Sequence, residues 1–348
     1  MLQRPSNDLL TYPHPVPPEA GMPIEVVPGI QWLRIPLPFQ LDHVNLYLLE
    51  DHGGWTLVDT GFGNSSTQAL WEELLAGPLR GRVLTRMIAT HHHPDHVGMA
   101  GWLSQRFNIP VTMTAVEFNA AGALQADPTA FDTPEHRHFY LSHGLDEPMA
   151  ALISGRGHMY LSATTGLSEQ GDLVADGDWL RIGGRSFQVV TGGGHSPDQI
   201  MLAAPAEGIF LAADQVLARI SPNVSVSADK PDIDVLGDYV ASLGRLRSIV
   251  PDDLLVLPGH ERPFFGLHVR IDQLRRHHAV RCDRIAAVCT TAPRSAAELV
   301  PLLFNRPLDP HQTGFAFGEV LAHINYMVNR GELRREIEAD AIHRVRAV

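Results

Sequence analysis

Cysteine is nearly absent: the 348 residues include only Cys282 and Cys289. No disulfide framework can stabilise such a chain, and on the helix that residues 267–290 predict, the two thiols stand about 10 Å apart, too far to pair. Reduced thiols are expected. Long apolar runs are lacking too. No 18 consecutive apolar residues occur, and the N-terminus lacks a basic-then-apolar leader, so the chain reads as cytoplasmic with no membrane association. Positive charge is in deficit, 27 Lys and Arg against 39 Asp and Glu for a net charge of −12, which disfavours nucleic acid as a partner. Bound divalent cations would offset part of that charge locally.

What is present points to a large domain and a small one. With 44% hydrophobic and 19% charged residues, the chain can build well-formed cores. Residues 1–23 hold six prolines (Pro5, Pro13, Pro15, Pro17, Pro18, Pro23) and read as an extended arm. Residues 24–280 form the main body: strands over 24–60, a helix over 63–77, alternating strands and helices to 113, strands again over 172–190 with a Gly183-Gly184 turn, and a helix over 234–249. Between them, residues 115–168 carry few strand-like runs and predict a helical insertion, either a lid and substrate pocket or a packing or dimerisation element, so a homodimer is compatible with the sequence. Tyr140, His138, His158 and Tyr160 are its pocket candidates. From 281 to 348 come two helices, 296–304 and 315–328, then a turn and strand-like residues.

The chemistry gathers where apolar strands end. Val83–Thr90 reads as a buried strand running into His91-His92-His93-Pro94-Asp95-His96, a cluster of neutral imidazoles and a carboxylate suited to Zn²⁺ or Fe²⁺. Extended backbone points His91 and His93 the same way, whereas Asp95 and His96 open an apolar-periodic run (Val97, Met99, Trp102, Leu103, Phe107) that reads as one helix. One turn can thus face two metal ions. Crowded at a strand end without a metal, these groups would repel one another if protonated. His92 is expected to point away. The same strand, turn and ligand order recurs at His195 after a Gly192-Gly193-Gly194 turn, at Asp214, at His260 after Pro258-Gly259, and at Asp59 after Trp55–Val58. Most of the 19 histidines must be ordinary residues; Asp59 could merely cap the next helix, and His43 either lines the site mouth or serves a loop.

With Asp59, the 91–96 cluster, His195, Asp214 and His260 in that order, residues 24 to 270 resemble the metallo-β-lactamase fold superfamily of hydrolases. The resemblance implies an α/β fold, an αββα sandwich with two divalent metal ions at the sheet edges. It also implies the division of ligands: His91, His93 and His195 on one ion, Asp95, His96 and His260 on the other, and Asp214 bridging. An acid at the bridging position looks like the glyoxalase II and lactonase branches, where β-lactamases have Cys. Zn²⁺ leads as the metal, and Fe²⁺ or Mn²⁺ tolerate the same donors. The implied activity is hydrolysis by a metal-bridging hydroxide. Asp95 and Asp59 are the residues assigned to catalysis, Asp59 by accepting a hydrogen bond from a ligand histidine. A small-molecule carbonyl ester, above all a thioester of glyoxalase II or acyl-CoA type, is the expected substrate; a lactonase, an endoribonuclease and a non-catalytic metal-binding module are the alternatives. Ser196-Pro197-Asp198 departs from the Thr-Pro-Gly usual in glyoxalase II, which puts glutathione recognition in doubt. Residues 281–348 resemble the winged-helix tail of some of these hydrolases, but segment 315–328 has no Lys or Arg and carries Glu319, so the tail reads as a packing or dimer element.

Overall fold

The computed structural model describes residues 10–131, 133–155, 158–337 and 339–348. β1 (Ile24–Val27), β2 (Ile30–Pro36), β3 (His43–Asp51) and β4 (Gly54–Val58) form an antiparallel meander, to which β5 (Leu84–Ile88), β6 (Val111–Thr114) and β7 (Asp172–Val174) add parallel neighbours. Parallel pairing needs crossovers. They are α1 (Ser65–Ala76), capped by Asn64, then α2 (Pro94–Val97) with α3 (Ala100–Phe107). The single helix expected from Asp95 onward is therefore broken. At Gly98 a Cβ would lie 2.3 Å from the Gly63 nitrogen, and the Met99 N–H is drawn off to Gly61 O and Thr60 Oγ1, both at 3.1 Å.

The insertion between β6 and β7 is helical: α4 (Ala115–Ala126), α5 (Pro134–Ser142), α6 (Glu147–Ser154) and α7 (Met159–Ser162). A second sheet follows in the order β12-β11-β10-β9-β8, from β8 (Trp179–Ile182), β9 (Arg185–Gly192), β10 (Gln199–Ala204), β11 (Ile209–Ala213) and β12 (Leu255–Pro258), with α8 (Val235–Ile249) joining parallel β11 and β12.

Period-two alternation builds the sandwich. On β3, Val44, Leu46 and Leu48 pack with Trp71 and Leu103 of the outer helices, whereas Tyr47 and Leu49 pack with Phe187, Val189, Ile200 and Leu202 of the second sheet. On that sheet's other face, Met201, Phe210 and Ala212 meet Leu243 and Leu246 of α8. Both faces of the central strands are buried, so they read as continuous apolar runs. A one-residue slip would exchange every inward and outward side chain, each of which contributes about 1.5–3 kcal/mol when fully buried.

α9 (Leu267–Thr291) lies beside α8 and carries Cys282 and Cys289, both buried and free. Beyond it come β13 (Arg294–Ser295), α10 (Ala296–Leu303), α11 (Pro310–Asn329), β14 (Leu333–Ile337) and β15 (His343–Ala347), the strands ordered β13-β15-β14. The boundary expected at 280/281 falls inside the unbroken α9. Phe317, Val320, Leu321 and Ile324 of α11 join the apolar cluster under the second sheet, so this tail shares the body's core. α11 starts five residues before the expected 315, with Asp309 and Gln312 forming a capping box and Pro310 at the first turn, where a missing N–H costs nothing. The proline-rich arm, of which residues 1–9 lie outside the described residues, is packed down: Leu10 is buried, Thr11 pairs with Phe265 and Arg262 stacks over Tyr12. No described helix is long and apolar enough to cross a membrane.

Candidate metal centre

Five strands deliver side chains to one edge of the sandwich: β4 runs into Asp59, β5 into residues 91–96, β9 into His195, β11 into Asp214 and β12 into His260. The turns are sharp. Asp59 and Ala213 hold left-handed backbone (φ 61 and 46) without being glycine, a strain the surrounding hydrogen bonds Asp59 N–H to Ile88 O and Gly259 N–H to Ala213 O sustain. Glycine is required twice. A Cβ on Gly194 (φ +100) would meet Tyr239 at 2.3 Å, and one on Gly259 would meet Asp214 Oδ1 at 2.2 Å.

Three imidazole nitrogens converge at this edge. His91 Nε2 lies 3.0 Å from His93 Nδ1 and 3.2 Å from His195 Nε2, and the last two are 3.1 Å apart. Their other contacts fix the tautomers. Asn223 O accepts from His195 Nδ1 at 2.7 Å, and Thr90 Oγ1, which donates to Asp59, accepts from His91 Nδ1 at 3.0 Å. Two lone pairs thus face each other across 3.2 Å with no proton between them, an arrangement a cation relieves. Donors about 2.0–2.1 Å from a tetrahedral Zn²⁺ stand about 3.3 Å apart.

Beside this trio lies a mixed group. Asp59 Oδ2 accepts from His96 Nδ1 at 2.8 Å, and the His43 carbonyl accepts from His260 Nδ1 at 2.7 Å. With both Nδ1 atoms so engaged, the two Nε2 atoms are the ones turned toward Asp95 and Asp214. Asp214 Oδ2 lies 3.2 Å from His260 Nε2, 3.4 Å from His195 Nε2 and 3.5 Å from His96 Nε2, between the two groups. His96 Nε2 and Asp214 Oδ1 are buried with no hydrogen-bond partner. Three overlapping sets could each hold an ion: His91, His93 and His195; His91, His96 and Asp214; Asp95, His96 and His260. Buried polar atoms are seldom left unpaired, so these orphaned atoms, with imidazole N and anionic carboxylate O donors around them, fit a resident pair of divalent metals.

Electrostatics separate the groups. Burial pushes the His91 and His93 imidazoles well below their usual range, helped by neighbouring histidines. Burial would also lower His260, but Asp214 and Asp95 outweigh it and push it up to about 10; His96 is raised likewise. Burial opposes ionisation of Asp95 and Asp214, and His96 and His260 override it, holding both carboxyls below the ordinary range.

Sequence reasoning passed over the residues that fasten these loops. Glu117, fully buried on α4, accepts from the His92 backbone N–H (3.0 Å), from Ser196 Oγ (2.7 Å) and from the Asp198 N–H (2.7 Å), and lies 2.6 Å from His92 Nδ1. It ties the 91–93 turn to the 195–198 turn. Thr114-Ala115-Val116-Glu117 has the form of a capping box, which disguises that reach; Thr114 does cap α4. Asn45 donates to Pro258 O (2.9 Å) and Glu261 O (3.2 Å), bracing the His260 turn.

The five pocket candidates are dispersed. His43 lies beside His260, with ring centroids 6.1 Å apart, and both its nitrogens are engaged, one with Asp42 and one accepting from the Glu261 N–H. Tyr160 donates to the His92 carbonyl at 2.9 Å and is otherwise core. Tyr140 meets Phe139 edge-on and Phe317 at a tilt, which docks the insertion against α11. His158 caps α7, and His138 is exposed on α5. His92 turns toward Glu117, as expected of the histidine pointing away.

Comparisons with known proteins identify the family. The family described as "Metallo-beta-lactamase superfamily" matches residues 40–260, and "Metallo-beta-lactamase-like, C-terminal domain" matches residues 282–348. A solved beta-lactamase domain protein from Burkholderia ambifaria is 38% identical, covers 98% of this chain and 99% of its own, and superposes with a TM-score of 0.91. A metallo-beta-lactamase family protein from Thermus thermophilus is 28% identical over 93% of this chain and all of its own length, with a TM-score of 0.78. The probable metallo-hydrolase YqjP of Bacillus subtilis (strain 168) is 26% identical over 279 residues, 78% of this chain and 84% of its own.

Proposed function

The chain belongs to the metallo-β-lactamase superfamily, and from that premise we propose that it is a dinuclear metal-dependent hydrolase whose substrate is a small carbonyl ester, a thioester foremost. The observation that carries the reading is the shared carboxylate: Asp214 Oδ2 reaches imidazoles of both donor groups while its Oδ1 has no partner. His91, His93 and His195 would hold one ion, Asp95, His96 and His260 the other, and Asp214 would touch both. Two such ions, when bound, supply hydroxide at neutral pH and polarise the scissile carbonyl.

The chain's own residues position and exclude. Asp59 fixes His96 and, through Thr90, His91, so that both present Nε2 to the site. The Asn223 and His43 carbonyls do the same for His195 and His260. Every imidazole and carboxylate of the two donor groups would be held by a metal, and His43, the next imidazole, has both nitrogens in use. This favours a leaving group that needs no proton. A thiolate departs unprotonated more readily than an alkoxide, because thiols ionise near pH ~8.5. A lactone, which releases an alkoxide, ranks second by the same argument.

Ribonuclease activity has less support. α11 is buried continuously from Ala316 to Asn325, and Arg330, Arg334 and Arg335 pair with Glu332, Glu336 and Asp232. The test is a panel of acyl-thioesters, lactones and single-stranded RNA with zinc-, iron- or manganese-reconstituted protein. Thioesters are expected to show the highest kcat/KM. Preference for lactone or RNA would replace the thioester reading, and no turnover on any would leave a metal-binding module.

A further inference from the structure

A second cluster of metal-ligating side chains lies away from the strand ends, in the seam where α9 packs against α11. We propose that His277 and His278 of α9 and Glu319 of α11 form a further divalent-cation site, of the zinc type, that staples the C-terminal tail to the catalytic body. One donor atom from each residue lies within 4.8 Å of the others, close enough for side-chain rotation to bring all three onto one ion. No residue is shared with the strand-end cluster.

A relay of hydrogen bonds fixes the donor state. The Glu319 backbone carbonyl accepts from His323 Nδ1 at 2.7 Å, which leaves His323 Nε2 as an acceptor. His278 Nδ1, 3.2 Å away, must then be the N–H that donates to it. The lone pair of His278 is thereby placed on Nε2, in a residue 1% exposed, and that nitrogen has no partner; His277 Nε2 has none either. Metal-bound histidines commonly donate their second ring N–H to a neighbouring acceptor, and His278 is already arranged so. Burial keeps both imidazoles uncharged, with His277 lowered to about 3, and neutral imidazole is the ligand form. Glu319, 7% exposed, is engaged at Oε1 by Arg281, which leaves Oε2 for an ion. That guanidinium opposes a cation. The site should therefore bind more weakly than the strand-end centre, and Arg281→Gln should tighten it.

Metal counting on the full-length chain tests this, because the readout does not depend on turnover. After loading with zinc and desalting, the wild-type protein should retain one more equivalent per chain than either His278→Gln or the better exposed His277→Ala. The combined His91→Ala/His96→Ala variant, stripped at the strand ends, should keep that equivalent and still melt at higher temperature when zinc is added. Equal zinc in wild type, His277→Ala and His278→Gln, or none in the combined variant, would overturn the proposal. Failure of that kind leaves the strand-end centre untouched, since its occupancy is read separately from catalysis.

Discussion

The chain buries two groups of histidines, and they differ in what carries them and what surrounds them. At the strand ends, donors come from four loops anchored in two sheets, and two carboxylates lie among the imidazoles, lifting His260 to about 10. In the α9–α11 seam the donors ride on helices, the single carboxylate is held by Arg281, and burial drives His277 down to about 3 and His323 to about 4. His96 and His260, flanked by those carboxylates, are thus shifted in the opposite direction from the seam histidines. Carboxylates concentrated at a rigid strand edge attract paired cations, whereas a carboxylate already neutralised by arginine leaves imidazoles whose proton is lost and whose lone pair is spare.

Removing the shared carboxylate should break this contrast most completely. Asp214→Ala deletes the one group that reaches His195, His96 and His260 at 3.2–3.5 Å. The expected outcome is loss of at least one bound metal and a fall in kcat/KM beyond the roughly 10–100-fold typical of outer partners. Elemental analysis with steady-state kinetics measures both. Two metals and full activity in the variant would mean that the carboxylate does not bridge.

Glu117 comes next, because it supports the strand-end group without belonging to it. Glu117→Gln keeps the size but replaces one acceptor oxygen with a donor, so His92 N–H, Ser196 and Asp198 N–H can no longer all be served. A buried acceptor set left half satisfied loosens the turns bearing His91, His93 and His195. We expect about 10–100-fold weaker metal binding, read by competition with a chelating dye. Unchanged affinity would show that the turns hold themselves.

The unequal legibility of the two clusters has a physical cause. Ligands at strand ends follow the chain's own punctuation: an apolar run, a glycine or proline turn, then His or Asp. Asp59, the 91–96 cluster, His195, Asp214 and His260 could therefore be picked out in order, and the two-sheet architecture followed from the family they resemble. Glu117 could not, since its spacing from Thr114 is that of an ordinary helix cap and its partners lie 25 and 79 residues away. His277, His278 and Glu319 were hidden for a related reason, since residues this far apart on two separate helices meet only through tertiary packing. The break at Gly98 also depends on a neighbouring backbone, that of Gly61 and Gly63, which no periodicity records. Tyr140 looked like a pocket residue because aromatics in an insertion are ambiguous between pocket and core, and its contact with Phe317 shows packing against the tail.

The seam supplies the smallest effect, and its sign separates it from the strand ends. In chelated protein, His323 has a folded pKa near 4 against an unfolded value of 6.5, lowered chiefly by burial and, on the charged side, by Arg281. The unfolded chain then binds the proton that the folded chain refuses. Its contribution to stability is complete above pH 6.5, declines as pH falls toward 4 and is flat below. By about pH 5.5 the loss amounts to about 1.4 kcal/mol, roughly a tenfold shift in the folding constant. His96 and His260 have raised values, so their contributions change above pH 6.5 and do not interfere. Urea melts of wild type and His323→Gln from about pH 7 to about 4.5 isolate the effect, since the remaining buried histidines cancel in the difference. The variant should lose stability less steeply with acid; parallel curves would mean that His323 takes up its proton as easily folded as unfolded.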